Sequence, residues 1–402
     1  MISAVLIFSA TYLVMAVGKL PGYRLDRAGA ALLGAALMVA VGALTIDEAY
    51  SAIDLETITL LLGMMIVAAN LRLSGFFRMV EAFVIARARH PLVLLSAIVV
   101  VAGFFSALLV NDTICLVMTP IVLGLVRRLE RNPVPYLLAV AMASNAGSVA
   151  TITGNPQNMI IGTLAGISYG DFARALTPVA IAGLVITIVL VAVLHPREFL
   201  TRDRLPVPRL RPSRPNRALV AKTLGVLAAM VGLFLAGYPP AGVAILGGGV
   251  LLFTRRIKAE KVYLDIDWPL LVMFAGLFVV VAGFDKAVIG PEAQALVARL
   301  NLADAVNLTG VTVVLSTLVS NVPAVLVLQP FVAPLADPEK AWLVVAMAAT
   351  LAGNLTLVAS VANLIVAQKA RSGGVAISFA AHLRVGVPMT LLSLLFGLWW
   401  LS

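Results

Sequence analysis

Residues 135–165 read PYLLAVAMASNAGSVATITGNPQNMIIGTLA, a stretch with no charged residue that is long enough to cross a bilayer. Its flanks are small and apolar, which suits a buried helix, but Gly154 and Pro156 cannot continue one: glycine leaves the backbone loose and proline has no N–H to donate. A break at membrane depth frees amides and carbonyls that lipid cannot satisfy, so it is tolerated only where it lines a cavity. The stretch therefore predicts a broken transmembrane helix, and with it an all-α polytopic membrane protein built around a polar interior.

The rest of the chain agrees. Of its 402 residues 61% are hydrophobic and 12% charged, with mean hydropathy +1.04, values foreign to a soluble domain. Further uncharged runs cover 223–254, 305–336 and 341–368. Met1 to Gly18 lacks the basic start of a cleavable signal and reads as the first span. One cysteine, Cys115, and three histidines exclude a disulfide framework and most metal clusters, and no resident metal or cofactor is expected. No zinc-protease motif, nucleophile elbow or phosphate loop is present, which argues against an enzyme.

Ten crossings are expected, at 2–18, 28–44, 57–71, 135–165, 175–194, 219–236, 241–253, 268–283, 341–368 and 386–401. Segments 92–126 and 303–336 each carry a polar break, Asn111-Asp112-Thr113 and Ser320-Asn321-Val322-Pro323, between limbs of about 15 residues. Limbs that short suggest re-entrant helical hairpins. With that layout 25 of the 29 Lys and Arg residues fall on the cytoplasmic side and both termini outside, in the cell's inner membrane. The net charge of +10 thus follows the inner face of a bilayer and implies no nucleic acid. Residues 76–89 read as an amphipathic helix along that face, and the Pro- and Arg-rich 195–218 as a solvated linker.

The linker separates halves, 1–194 and 219–402, that resemble each other. At a constant spacing of 213, Gly29 meets Gly242, Ala31 meets Ala244, Asp54 meets Asp267 and Gly63 meets Gly276. Farther on, Asn111 and Pro120 match Asn321 and Pro330, and Thr151 and Asn158 match Thr356 and Asn363. Five crossings per half is odd, so the second half is inverted, each half holding one hairpin and one broken helix. Inverted repeats with interrupted helices at matching places point to a secondary transporter with its site near the midplane. The absence of charged pore rings favours alternating access over a channel.

Site candidates are the polar residues at membrane depth: Asn111, Asp112, Thr113, Asn145, Thr151, Gly154, Asn155 and Asn158 in the first half, and Ser320, Asn321, Asn354, Thr356, Ser360 and Asn363 in the second. Asp112 is the acid placed well inside the apolar region. An ionisable group there costs roughly 2.5–3.5 kcal/mol on insertion scales, so it reads as the proton-coupling residue, with a helix-capping aspartate as the structural alternative. His90, His195 and His382 read as interfacial residues, Cys115 as a small core residue, Gly247-Gly248-Gly249 as a close-packing run, Trp399 and Trp400 as interface anchors, and Gly373 as an indifferent loop position.

The paired tips and broken helices, Asn111-Asp112-Thr113 with Thr119-Pro120, Gly154-Asn155-Pro156-Gln157-Asn158, Ser320-Asn321-Val322-Pro323 and Gly353-Asn354-Leu355-Thr356, resemble the ion transporter superfamily. That group includes arsenite/antimonite permeases, sodium/proton antiporters, citrate carriers and divalent-anion/sodium symporters. The resemblance implies a homodimer working by an elevator motion, with binding sites at Asn111, Gly154 and Asn155 in one half and Asn321, Ala359 and Ser360 in the other. Dicarboxylate symporters carry Ser-Asn-Thr at both tips, whereas Val110-Asn111-Asp112 is more similar to the arsenite-permease and anion-transporter branch. The expectation is a proton-coupled carrier of a small inorganic species, arsenite or antimonite first. Alternatives are a sodium/proton antiporter or a sodium-coupled carboxylate symporter, and an arsenite permease would add a cytoplasmic ATPase partner.

Overall fold

The computed structural model describes residues 2–18, 25–201, 204–205, 215–288 and 299–402. All its regular structure is helical. The first half comprises α1 (Ile2–Val17), α2 (Arg27–Ala40), α3 (Ile46–Ala52), α4 (Leu55–Leu73), α5 (Phe76–Arg87), hairpin limbs α6 (Pro91–Leu108) and α7 (Asn111–Arg128), the broken pair α8 (Pro133–Ser148) and α9 (Pro156–Ala165), and α10 (Tyr169–Leu194). After the short α11 (Pro196–Phe199), the second half runs α12 (Arg217–Leu235), α13 (Pro240–Leu252), α14 (Ala259–Tyr263) and α15 (Trp268–Val288). Hairpin limbs α16 (Ala305–Val319) and α17 (Asn321–Val332), the broken pair α18 (Pro338–Ala352) and α19 (Val361–Ser372), and α20 (Phe379–Leu401) complete it.

Local chemistry sets the helix starts. Asp26, Asp54, Asn132, Ser168, Asp304, Asp337 and Ser378 each accept a hydrogen bond from an amide of the following turn. At α3, Thr45 and Glu48 form a reciprocal capping box. The Lys286 ammonium also donates to Glu48 at 2.6 Å and, with the Thr45 amide, holds that carboxyl at about 2, tying α3 to the end of α15.

Among the described residues six helices are long and apolar enough to cross a membrane: α4, α6, α10, α12, most of α15, and α20. Other crossings expected from the sequence are shorter single helices, α1, α2 and α13, or the two broken pairs. The chain is thus a multi-pass membrane protein. The polar break of the first hairpin differs in detail from the expectation. The turn itself is Leu109-Val110, and Asn111, Asp112 and Thr113 form the first turn of α7. Both limbs of that hairpin have 18 residues rather than about 15, and α6 alone meets the length for a crossing. It nonetheless folds back on α7, and both limbs pack on α8.

The helices sort into two layers. One holds α1, α2, α4, α12, α13 and α15; the other holds the hairpins, the broken pairs, α10 and α20. Within the first layer α2 lies against α15 and α4 against α13, which are the same pairing with the halves exchanged. The crossings are close because of glycine. A Cβ at Gly63 would stand 2.5 Å from the Ala244 carbonyl carbon, and one at Gly276 would stand 2.6 Å from that of Ala31. In the second layer α6 packs on α8 as α16 packs on α18, and α10 pairs with α20. Of the glycine run, Gly247 and Gly248 do face close neighbours in Met230 and Ile66, whereas Gly249 faces open space.

Within the expected linker, 202–203 and 206–214 lie outside the described residues, as do Lys19 and Arg24 of the charge layout. Its described ends are packed and not a solvated tether. Phe199 is fully buried against Tyr136, Glu198 pairs with Arg131 at 2.8 Å, and the Leu205 amide donates to the Arg89 carbonyl. Apolar Phe199 and Leu205 gain more from burial under the first half than from the water a tether would occupy.

Candidate functional site

Four helices of the second layer begin at one place. Asn111 and Asp112 open α7, Pro156 and Gln157 open α9, Ser320 and Asn321 open α17, and Ser360 and Val361 open α19; together they line a cavity of about 290 Å³. The opposite wall comes from the first layer, from Asp26 and Arg27 at the start of α2 and from Asp267 to Phe274 at the start of α15. Helix N-termini present unpaired amides and a partial positive charge, so the cavity favours oxygens that accept hydrogen bonds.

The tips add the converse chemistry. Asn111 donates its amide nitrogen to Asn145 Oδ1 at 3.0 Å, which leaves Asn111 Oδ1 buried without a partner. Its counterpart Asn321 likewise keeps Oδ1 buried and unpartnered. Buried acceptors are rarely left unpaired, and two of them at matching tips call for a ligand with hydrogens to donate or for a cation. Asp112 lies in the same cavity and makes no hydrogen bond or ion pair among the described residues. The capping position before α7 is Val110, which has no cap to offer, so the capping role for Asp112 is not seen. Ser320 turns the second tip with φ 78° and ψ 161°, a conformation ordinarily left to glycine and costing about 1–3 kcal/mol.

Behind the tips a buried amide network holds the breaks open. Asn158 Nδ2 donates to the carbonyls of Ser148 and Thr151, both at 3.0 Å. Asn363 Nδ2 does the same to Gly353 at 2.7 Å and Thr356 at 3.1 Å. These are the same two bonds at a spacing of 205, and they satisfy carbonyls that each break releases. The halves also reach into each other. Asn145 donates to Asn354 and Asn363 and accepts from Ser360; Thr350 accepts from Asn155 and Gln157.

Of the residues singled out in the sequence, Asn111, Asp112, Ser320, Asn321 and Ser360 line the cavity. Asn145, Asn155, Asn158, Asn354 and Asn363 stand behind it in the network. Thr151 bonds the Ala107 carbonyl, Gly154 packs on the Ser148 backbone, and Thr113 and Thr356 lie outside the cavity wall. Sequence reasoning missed Thr350, although it sits 205 residues after Asn145, and read Arg27 only as a topology marker. It also placed His382 at the interface, whereas this ring is fully buried and donates Nε2 to the Asn354 carbonyl at 3.1 Å. Arg384, two residues on, suggested a wet position, but the Asn354 carbonyl, in the break just past the end of α18, needs a donor and His382 supplies it.

Residues 7–348 match the CitMHS family, described as citrate transporter. A "46 kDa membrane protein" of Mycobacterium leprae is 33% identical over 97% of this chain and 96% of its own length. The "Silicon efflux transporter LSI3" of Oryza sativa subsp. japonica is 28% identical over 97% of this chain and 95% of its own. Among solved structures the Alcanivorax borkumensis YdaH transporter superposes with TM-score 0.61 over 98% of this chain and 94% of that one. At 15% identity that likeness is one of fold.

Proposed function

Since this chain belongs to the CitMHS citrate transporter family, and is a secondary transporter and not an enzyme, we propose that it carries a small inorganic weak acid, arsenite or antimonite first, outward in exchange with protons. The observation that carries this reading is the pair of unpartnered Oδ1 atoms, of Asn111 and Asn321, on residues that line one cavity together with the N-termini of four helices. A hydroxy acid donates its O–H groups to the asparagine oxygens and offers its own oxygens to the amides. The rice relative is named a silicon efflux transporter, and outward carriage of another small inorganic species supports the class. Citrate fits less well, because Asp26, Asp112 and Asp267 line the cavity against the single cation Arg27 among its described residues.

Asp112 is the coupling residue in this reading: protonated it accompanies the empty carrier, deprotonated it lets the loaded one go. The two layers are the parts that move, the hairpin layer sliding on the other within each subunit of a homodimer. The two halves form an inverted repeat in the cytoplasmic membrane with both termini outside. Proteoliposomes loaded separately with arsenite, silicic acid and citrate test this. An imposed proton gradient should drive arsenite or silicic acid uphill, and a sodium gradient should not. Sodium-driven citrate accumulation, or proton movement against sodium with neither acid carried, overturns the proposal.

A further inference from the structure

Arg27 occupies the first position of α2 and lines the tip cavity, yet its Nε is buried with no hydrogen-bond partner. Burying a guanidinium nitrogen unpaired is unfavourable, so the side chain is poised for an acceptor that arrives from the cavity. The acids nearby do not fill that role. Asp26 Oδ1 accepts the Gly29 amide at 2.9 Å and Asp267 Oδ1 accepts the Leu270 amide at 3.1 Å, each at its own helix start. Asp112 faces the cavity from the other layer without pairing Arg27.

A second cavity, of about 330 Å³, lies where the repeat places the counterpart of this wall. Its first-layer lining includes Pro239, Pro240, Ala241, Glu56 and Leu60. At the spacing of 213 that joins Ala31 to Ala244, Pro240 stands for Arg27, Glu56 for Pro269 and Leu60 for Met273. In the layout that collects lysine and arginine on the cytoplasmic side, the cavity with Arg27 opens inward and the one with Glu56 opens outward.

We propose that Arg27 gives the inner cavity a contact that the outer one lacks: its guanidinium pairs with an oxygen of a substrate anion entering from the cytoplasm, whereas Pro240, at the same place in the outer wall, has no donor to offer. Arg27 is thereby a specificity residue for loading from the cytoplasmic side. The inference rests on the inverted-repeat reading above, but its test needs no transported substrate, so its failure and that of the flux assay are separable.

The test places one reporter cysteine, Val361→Cys, at the inner cavity in a Cys115→Ala background. The reporter is reacted from the cytoplasmic side with anionic sulfonatoethyl and cationic trimethylammonioethyl methanethiosulfonates. A unit charge within roughly 8 Å through water changes the anion-to-cation rate ratio about fivefold. Arg27→Gln should lower the ratio by that factor and Arg27→Lys should restore it. The ratio at Thr163→Cys, read from outside at the other cavity, should stay where it was. An unchanged ratio at Val361→Cys, failure of lysine to restore it, or an equal fall at both reporters overturns the proposal.

Discussion

Asp112→Asn is expected to reduce uphill, gradient-driven flux to the level of empty vesicles while leaving downhill exchange measurable. Asparagine keeps the size of the side chain and suits the first turn of a helix equally well, but it cannot bind or release a proton. Because the aspartate neither caps α7 nor pairs with another described residue, thermal stability should move by no more than about 1 kcal/mol. The comparison of concentrative flux with exchange in the same vesicle preparation decides the matter. A variant that still concentrates substrate as the parent does removes Asp112 from the coupling mechanism.

Gly154→Leu should be nearly as damaging for a different reason. A Cβ at Gly154 would overlap the Ser148 carbonyl and stand 2.8 Å from the Ser148 Cα. Ser148 is also where Asn155 and Asn158 anchor the break, so a leucine there pushes apart the segment that aims the start of α9 at the cavity. Overpacking of this kind costs roughly 1–3 kcal/mol, a loss a folded carrier survives, but transport should fall to a small residue of its rate. Gly373 looks like a tolerant comparison in the sequence and is not one. A Cβ there would run into Leu123, and the Gly373 carbonyl accepts from Arg127. Gly249 has open space around it, so Gly249→Leu is the proper control and should transport normally. Normal flux in Gly154→Leu, or equal damage in Gly249→Leu, removes the break from the site.

What the sequence makes legible follows from how locally each feature is encoded. Uncharged runs and Gly-Pro interruptions mark the broken helices, because membrane depth punishes charge and unsatisfied backbone at once. The pairing of Thr151 and Asn158 with Thr356 and Asn363 is readable as a spacing, and the structure gives it meaning as two identical carbonyl clamps. The sequence does not say which polar residues face the cavity and which stand behind it. Asn145 and Asn111 look alike in the chain, yet one is a strut between the halves and the other a tip. Arg27 is hidden by its neighbourhood, since an arginine near a span end reads as an ordinary topology marker until the fold turns it toward the tips. His382 is misread for the same reason, its partner being a backbone carbonyl 28 residues earlier. The turn at Ser320, with its positive φ, carries no glycine to announce it.

The proposed inverted arrangement, with one hairpin entering from each face, is the premise of both the shared cavity and the unlike walls. It is tested most directly by single cysteines at Arg128, exposed at the end of the first hairpin, and at Glu339, exposed just after the second, in a Cys115→Ala background. With a membrane-impermeant maleimide, Arg128→Cys should label only from the cytoplasmic side and Glu339→Cys only from the outside. Labelling of both positions from the same side would contradict the account.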